Sequence, residues 1–251
     1  MELGIQSYCL RGFASANEVI AKTKECGLRR IELCGKHADF ADVDGFAQIA
    51  KTYADGGVAV VSIGVNRVGP DRDAARPLFE CAKRAGLNRM SVDFPLDGID
   101  RALEVADELS EEYRIVLGIH NHGGRHWLGS RTALRWVFGK TSNRIGLNLD
   151  TAWALDSRED PIAMVKEFGD RLHLVHIKDF VFQSDRTPQD VVVGTGNLSL
   201  KDLDSALKEA GFDGEAILEY EGDIDNPVPA LSECVQAIGE KMTLVTTAGL
   251  S

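Results

Sequence analysis

The chain has 251 residues, 44% of them hydrophobic and 27% charged, and its 28 Lys and Arg against 39 Asp and Glu leave a formal net charge of −11. This length suits one large α/β unit, and the ordinary apolar and charged fractions exclude long disorder, collagen and coiled-coil classes. The acid excess argues against a grip on nucleic-acid backbones, which takes clustered basic residues, and no window approaches the ~18 apolar residues of a membrane span.

In chain order, short apolar runs alternate with amphipathic stretches. The spacing predicts strands at 3–7, 30–33, 58–63, 89–92, 115–120, 145–150, 172–177 and 216–219. Between and after them it predicts helices at 16–25, 43–53, 71–85, 99–111, 130–138, 161–168, 200–209 and 228–238. The phrases ECGLRRIELCG, RAGLNRMSVDF and EAGFDGEAILEY repeat one device, a helix end closed by Gly and followed by a strand. About eight units of roughly 30 residues predict a single (β/α)8 barrel over residues 1–251. An open dinucleotide-binding sheet is the rival, but the first strand leads into Gln6, Ser7 and Tyr8 rather than G-x-G-x-x-G. Cys9, Cys26, Cys34, Cys81 and Cys234 are widely spread with no C-x-x-C pair, which reads as reduced, buried thiols. The N-terminus carries Glu2 in place of a basic region and an apolar core, so the expected location is the cytoplasm.

A barrel does its chemistry at the C-terminal ends of its strands. Strand five ends in His120-Asn121-His122, strand six in Asn148-Leu149-Asp150, strand seven in His176-Ile177-Lys178-Asp179 and strand eight in Glu219-Tyr220-Glu221, while strand two ends near Glu32. Side chains alternate faces along a strand, so one inward register aims His120, Asp150, His176 and Glu219 into a single mouth. Two imidazoles and two carboxylates form a borderline nitrogen and oxygen set for one divalent ion, Mn²⁺, Co²⁺, Fe²⁺, Zn²⁺ or Ni²⁺. His173 falls on the opposite face of strand seven and reads as structural. His37 and His126 lie in loops.

Together, GIQSY, IELCG, His120-Asn-His122, Asp150, VHIKD at 175–179, GTGNLSL and LEYEGD resemble the xylose isomerase-like barrels across nearly the whole chain. That group includes sugar isomerases, ketose 3-epimerases, inosose dehydratases and, more distantly, apurinic endonucleases. The resemblance implies a metal-dependent enzyme on a small carbohydrate, with His120, Asp150, His176 and Glu219 at the ligand positions. Two departures stand out. Ketose epimerases usually carry Glu where His120 stands, and the HNH segment is instead similar to inosose dehydratases. Trp153 stands where many relatives have a substrate-contacting His, and it either offers a stacking wall for a sugar ring or packs a loop against the rim.

The shared chemistry is proton removal beside a metal-polarised carbonyl, leading to isomerisation, epimerisation or β-elimination. In it Glu219 is ligand and base, His122 and Lys178 are proton donors or substrate contacts, and Glu32 is a hydroxyl partner or second acid. Lys178 has an alternative as the partner of a salt bridge to Asp179 or Glu221. Trp153, Glu221, Asn148 and His37 are candidates for substrate contact. A non-catalytic sugar-binding barrel is the non-enzyme alternative, and a nuclease is disfavoured by the charge. The expected partners are a small carbohydrate and, as an open possibility, a second copy or a partner subunit, with neither nucleic acid nor membrane. Gly194-Thr195-Gly196-Asn197 offers backbone N–H groups that either bind a substrate phosphate or form a tight turn. The polar segment 179–191 reads as a loop able to cover the mouth.

Overall fold

The computed structural model describes residues 1–124 and 126–246. Among the described residues, nine strands form one sheet, starting with β1 (Leu3–Gln6), β2 (Arg30–Leu33), β3 (Ala59–Ile63), β4 (Asn66–Arg67) and β5 (Arg89–Asp93). It continues with β6 (Val116–His120), β7 (Ile145–Asp150) and β8 (Leu172–Ile177). A separate two-stranded hairpin, β9 (Phe180–Phe182) and β10 (Pro188–Asp190), precedes the last barrel strand, β11 (Glu215–Leu218). The hydrogen-bonded order is β3-β2-β1-β11-β8-β7-β6-β5-β4, with every adjacent pair parallel.

β3 and β4 are two pieces of one barrel strand, interrupted at Gly64 and Val65, so the order nearly closes into a ring. Gly64 permits the close approach to β5 at this seam, because an added Cβ would lie 2.6 Å from the Ser91 carbonyl oxygen. The fold is a TIM barrel.

The outer layer is α1 (Ala16–Glu25), α2 (Val43–Asp55), α3 (Arg72–Arg84), α4 (Ile99–Tyr113), α5 (Arg131–Phe138), α6 (Thr151–Asp156), α7 (Pro161–Phe168), α8 (Leu200–Glu209) and α9 (Val228–Lys241). Local chemistry starts and stops these helices where the sequence predicts. Ser15 and Glu18 form a reciprocal capping box at α1. Gly27 and Gly86 end α1 and α3 at φ of 79° and 73°, conformations that cost other residues a Cβ clash. In α3 the residues Ala75, Leu78, Phe79 and Ala82 recur at helical spacing and are buried.

Alternation along the strands divides the core. Ile145, Leu147 and Leu149 of β7 belong to the apolar core, while Asn148 and Asp150 of the other parity meet polar partners inside the barrel.

Two elements depart from the expectation. α6 follows β7 directly, because Asp150 ends the strand and caps the helix in one residue. The segment expected as a plain loop holds the β9–β10 hairpin, since Phe180 is buried and packs edge-on against Trp153, with ring centroids 5.0 Å apart. No helix among the described residues is long and apolar enough to cross a membrane.

Gly146 of β7 lies so near the chain leading into β8 that an added Cβ would fall 1.9 Å from the Arg171 carbonyl oxygen, a backbone atom. Gly146→Ala is expected to cost about 2–4 kcal/mol by forcing the two strands apart. Urea denaturation measures this, and an unchanged midpoint would refute the close packing.

Candidate metal centre and its cavity

Four strand ends converge on one point. His120 closes β6, Asp150 closes β7, His176 lies near the end of β8, and Glu219 directly follows β11. Pairing sets their heights, since His176 is in register with Asp150 on one side and with Ile217 on the other. One potential ligand atom from each of the four lies within 4.8 Å of the others. His120 Nε2 is 3.6 Å from Asp150 Oδ2 and 4.0 Å from Glu219 Oε2, and His176 Nδ1 is 2.6 Å from Glu219 Oε2.

The donor atoms fit a cation. All four side chains are buried, yet both His120 ring nitrogens and Asp150 Oδ2 have no hydrogen-bond partner. Buried polar atoms without partners cost free energy, and a divalent ion supplies what these lack. Asp150 is aimed by its second role: Oδ1 accepts the Trp153 N–H at 2.8 Å as the cap of α6, which turns Oδ2 toward the centre. Asn121 locks the neighbouring strand end, accepting from Asp150 N and donating to Asp150 O.

Charge below the centre is balanced within the barrel. Burial lowers the His176 pKa, but Glu32 and Glu219 outweigh it and hold the ring up at about 10. Burial pushes Glu219 upward, but Lys178 and His176 together hold its carboxyl well below the usual range. Lys178 is wholly buried. Burial disfavours its charge, yet Glu219, Asp150, Asp190 and Glu221 raise its pKa above the normal value. Its ammonium forms a salt bridge with Glu221 and lies 3.5 Å from Glu219 Oε1 and 3.8 Å from Asp190 Oδ1. The rings of Trp153 and Phe180 cover it at 5.3 and 5.5 Å.

Above the centre is a cavity of about 360 Å³, whose walls include Tyr8, His120, His122, Trp153, Glu219 and Glu221. This is at the small end of ligand pockets. The His122 ring faces His120 and His126, with centroids 4.5 and 4.9 Å away. Burial, then the neighbouring His120 and His126, push the His122 pKa down to about 3. Its imidazole is therefore neutral at pH 7.

Of the predicted substrate contacts, Trp153, Glu221 and His122 line this cavity, and Lys178 lies under Trp153. Three others do not line it. Glu32 is fully buried beneath the centre, accepting from Gln6 and sitting 3.0 Å from His176 Nε2. Asn148 is equally buried, its amide 2.7 Å from Ser91 Oγ and 3.0 Å from His176 Nε2. Both face inward as expected, but one or two residues too deep to meet a ligand in the cavity. His37 is turned away, with Nε2 3.1 Å from the Phe13 carbonyl and Nδ1 3.9 Å from Cys34 Sγ. His126 pairs with Asp93 at 3.4 Å, and His173 reaches the Asn143 carbonyl on the outer face.

The Gly194–Asn197 amides are also committed. Asp179 accepts from the N–H groups of Gly194, Gly196, Asn197 and Leu198 at 2.8–2.9 Å, which settles this segment as a tight turn rather than a phosphate cradle. Sequence reasoning missed Gln6, Tyr8, Cys34 and Lys36 on the cavity wall and Asp190 beside Lys178. Only GIQSY and IELCG, which span the ends of β1 and β2, carried a trace of the first three.

Comparison with known proteins agrees with the barrel fold. The family model of xylose isomerase-like TIM barrels matches residues 20–238, and the chain belongs to that family. An inosose dehydratase of Lacticaseibacillus casei is 26% identical over 135 residues, covering 48% of this chain and 45% of the relative. The chain thus spans a little under half the length of the curated relatives it matches. Among solved structures, that of L-ribulose 3-epimerase superposes with a TM-score of 0.75 at 19% identity, covering 96% of this chain and 95% of the other. The IOLI protein with a bound zinc atom gives 0.72 at 15% identity, covering 97% and 100%. At these identities the two structures speak to the fold alone.

Lys178→Met leaves Glu219, Glu221 and Asp190 without their shared cation. In the metal-free protein it is expected to lower unfolding stability by about 3–5 kcal/mol, the cost of an uncompensated buried charge. Urea titration reads this directly, and a loss below about 1 kcal/mol would contradict the charge balance described here.

Proposed function

We propose that the protein is a divalent-metal-dependent carbohydrate enzyme of isomerase/epimerase type, acting on a small keto-sugar or cyclic polyol ketone. The observation that carries this reading is the buried His120, Asp150, His176 and Glu219 set, which has unpartnered atoms on His120 and Asp150 and two members, His120 and Glu219, on the wall of one small cavity. An ion held by these four residues supplies a Lewis acid that polarises the substrate carbonyl and lowers the cost of removing a proton from the adjacent carbon.

The chain's own residues divide the remaining work. Glu219 Oε2 faces His120 and His176, Oε1 faces Lys178, and the residue is part of the cavity wall. Its carboxylate is the group assigned to take the proton. Lys178 keeps the carboxylate ionised and oriented. His122, neutral on the same cavity, is the group that returns or receives a proton at oxygen or at the neighbouring carbon. Trp153 gives the apolar face of the ring a flat wall, and Glu221 offers a hydroxyl acceptor. The acidity of the mouth disfavours a nucleic-acid ligand.

A second reading, β-elimination of water, is favoured by one observation. His120 occupies the strand end where ketose epimerases place a second carboxylate, so two-sided exchange by paired carboxylates lacks one partner. The inosose dehydratase match points the same way.

Asp150→Ala and Glu219→Ala are expected to abolish retention of about one divalent ion per chain and to lower turnover by roughly 10³-fold or more. Elemental analysis after dialysis and assays on L-ribulose, D-fructose and 2-keto-myo-inositol test both. Wild-type protein that holds no ion and turns over none of them would sink the proposal. Runs in D₂O separate the two readings, because isomerisation or epimerisation adds deuterium with the mass otherwise retained, whereas elimination removes water.

A further inference from the structure

The β9–β10 hairpin returns the chain to the edge of the centre. Its antiparallel register pairs Asp190 with Phe180, the residue two positions after Lys178. Phe180 is buried against Trp153, and the Val191 N–H donates to the Asp179 carbonyl at 3.2 Å, so the base of the hairpin is fixed. Asp190 Oδ1 thereby lies 3.8 Å from the buried Lys178 ammonium and accepts the Glu221 N–H at 3.2 Å. One oxygen bridges the lysine and the chain just beyond β11. Glu219 and Glu221 come from that same β11 end, so Asp190 is the one carboxylate in contact with this ammonium, among the described residues, that a different element supplies.

We propose that Asp190 is a positioning residue for the centre: it holds the Lys178 ammonium between the hairpin and Glu219, and so fixes the direction of the Glu219 carboxylate. This rests on the reading of the cavity as a metal-dependent carbohydrate site. The three carboxylates pull on the ammonium from different directions. Without Asp190 the salt bridge to Glu221 is unopposed from the hairpin side, and the 3.5 Å contact with Glu219 Oε1 is the one that lengthens. Asp190 is not part of the cavity wall and is not among the four candidate ligands, so substrate affinity and ion content do not depend on it.

The test is Asp190→Asn, which keeps the acceptor for the Glu221 N–H and removes the charge, alongside Asp190→Glu, which keeps the charge. With Mn²⁺ and whichever of L-ribulose, D-fructose and 2-keto-myo-inositol the wild type turns over, Asp190→Asn is expected to lower kcat about 10-fold, with KM within about twofold and ion content unchanged. Asp190→Glu is expected to recover at least a third of wild-type kcat. The ¹⁵Nζ resonance of Lys178, assigned by its loss in Lys178→Met, is expected to move or broaden in Asp190→Asn and to return toward its position in Asp190→Glu. An unchanged kcat, a change in KM alone, or an unmoved Lys178 resonance in Asp190→Asn overturns the proposal. The resonance is read without turnover. If the wild type proves inactive on all three sugars, the functional reading fails, and the resonance alone decides whether Asp190 holds the lysine.

Discussion

Buried charge at the mouth of the barrel is the constraint on which the rest of the site depends. Glu32, Asp150 and Glu219 lie in the interior, where an isolated carboxylate is costly to ionise. In the metal-free protein two cations inside the barrel, His176 and Lys178, answer them, each touching more than one carboxylate, and an ion bound at the centre would take the place of the His176 proton. Among the four candidate ligands, both His120 ring nitrogens and Asp150 Oδ2 keep no partner. These atoms carry lone pairs that suit a divalent ion.

The same economy appears in the supporting residues. Asp150 ends a strand, caps α6 and presents one oxygen to the centre. Asp179 gathers four backbone N–H groups, which fixes the turn leading to α8 and the start of the hairpin together. Thr151 Oγ1 accepts from the Lys178 N–H and reaches the carbonyls of His176 and Lys178, so α6 is tied to the end of β8. Rigid attachments of this kind keep the candidate ligands at fixed separations without help from a bound ligand.

Much of the architecture was legible because its signals are local. Apolar runs, helix caps and Gly stops lie within a few residues of one another, and the predicted strands and helices agree with the observed ones to within a few positions. The short helix α6 is hidden because Asp150 both ends β7 and caps the helix, leaving no loop between them to mark a new element. The hairpin was hidden because Val181 and Phe182 are only partly buried and β10 opens with a proline, so neither strand carries a clear alternating pattern. At the site, the four candidate ligands follow from strand ends and side-chain parity. Depth does not: Glu32 and Asn148 have the expected parity and still sit below the cavity. His37 shows the same limit in a loop, where no periodicity says which way a ring turns.

The sequence by itself determined the repeating strand–helix order and the four residues that converge at one end of the barrel, since period-two alternation and the position of each strand end are written locally. Tertiary structure decided what depends on contacts distant in sequence. Such contacts commit the Gly194–Asn197 amides to Asp179 rather than to phosphate, place Glu32 under His176 rather than beside a ligand, and bring Asp190 back to Lys178. Each results from the height at which one element packs on another, a quantity set by register and core packing that no single segment encodes.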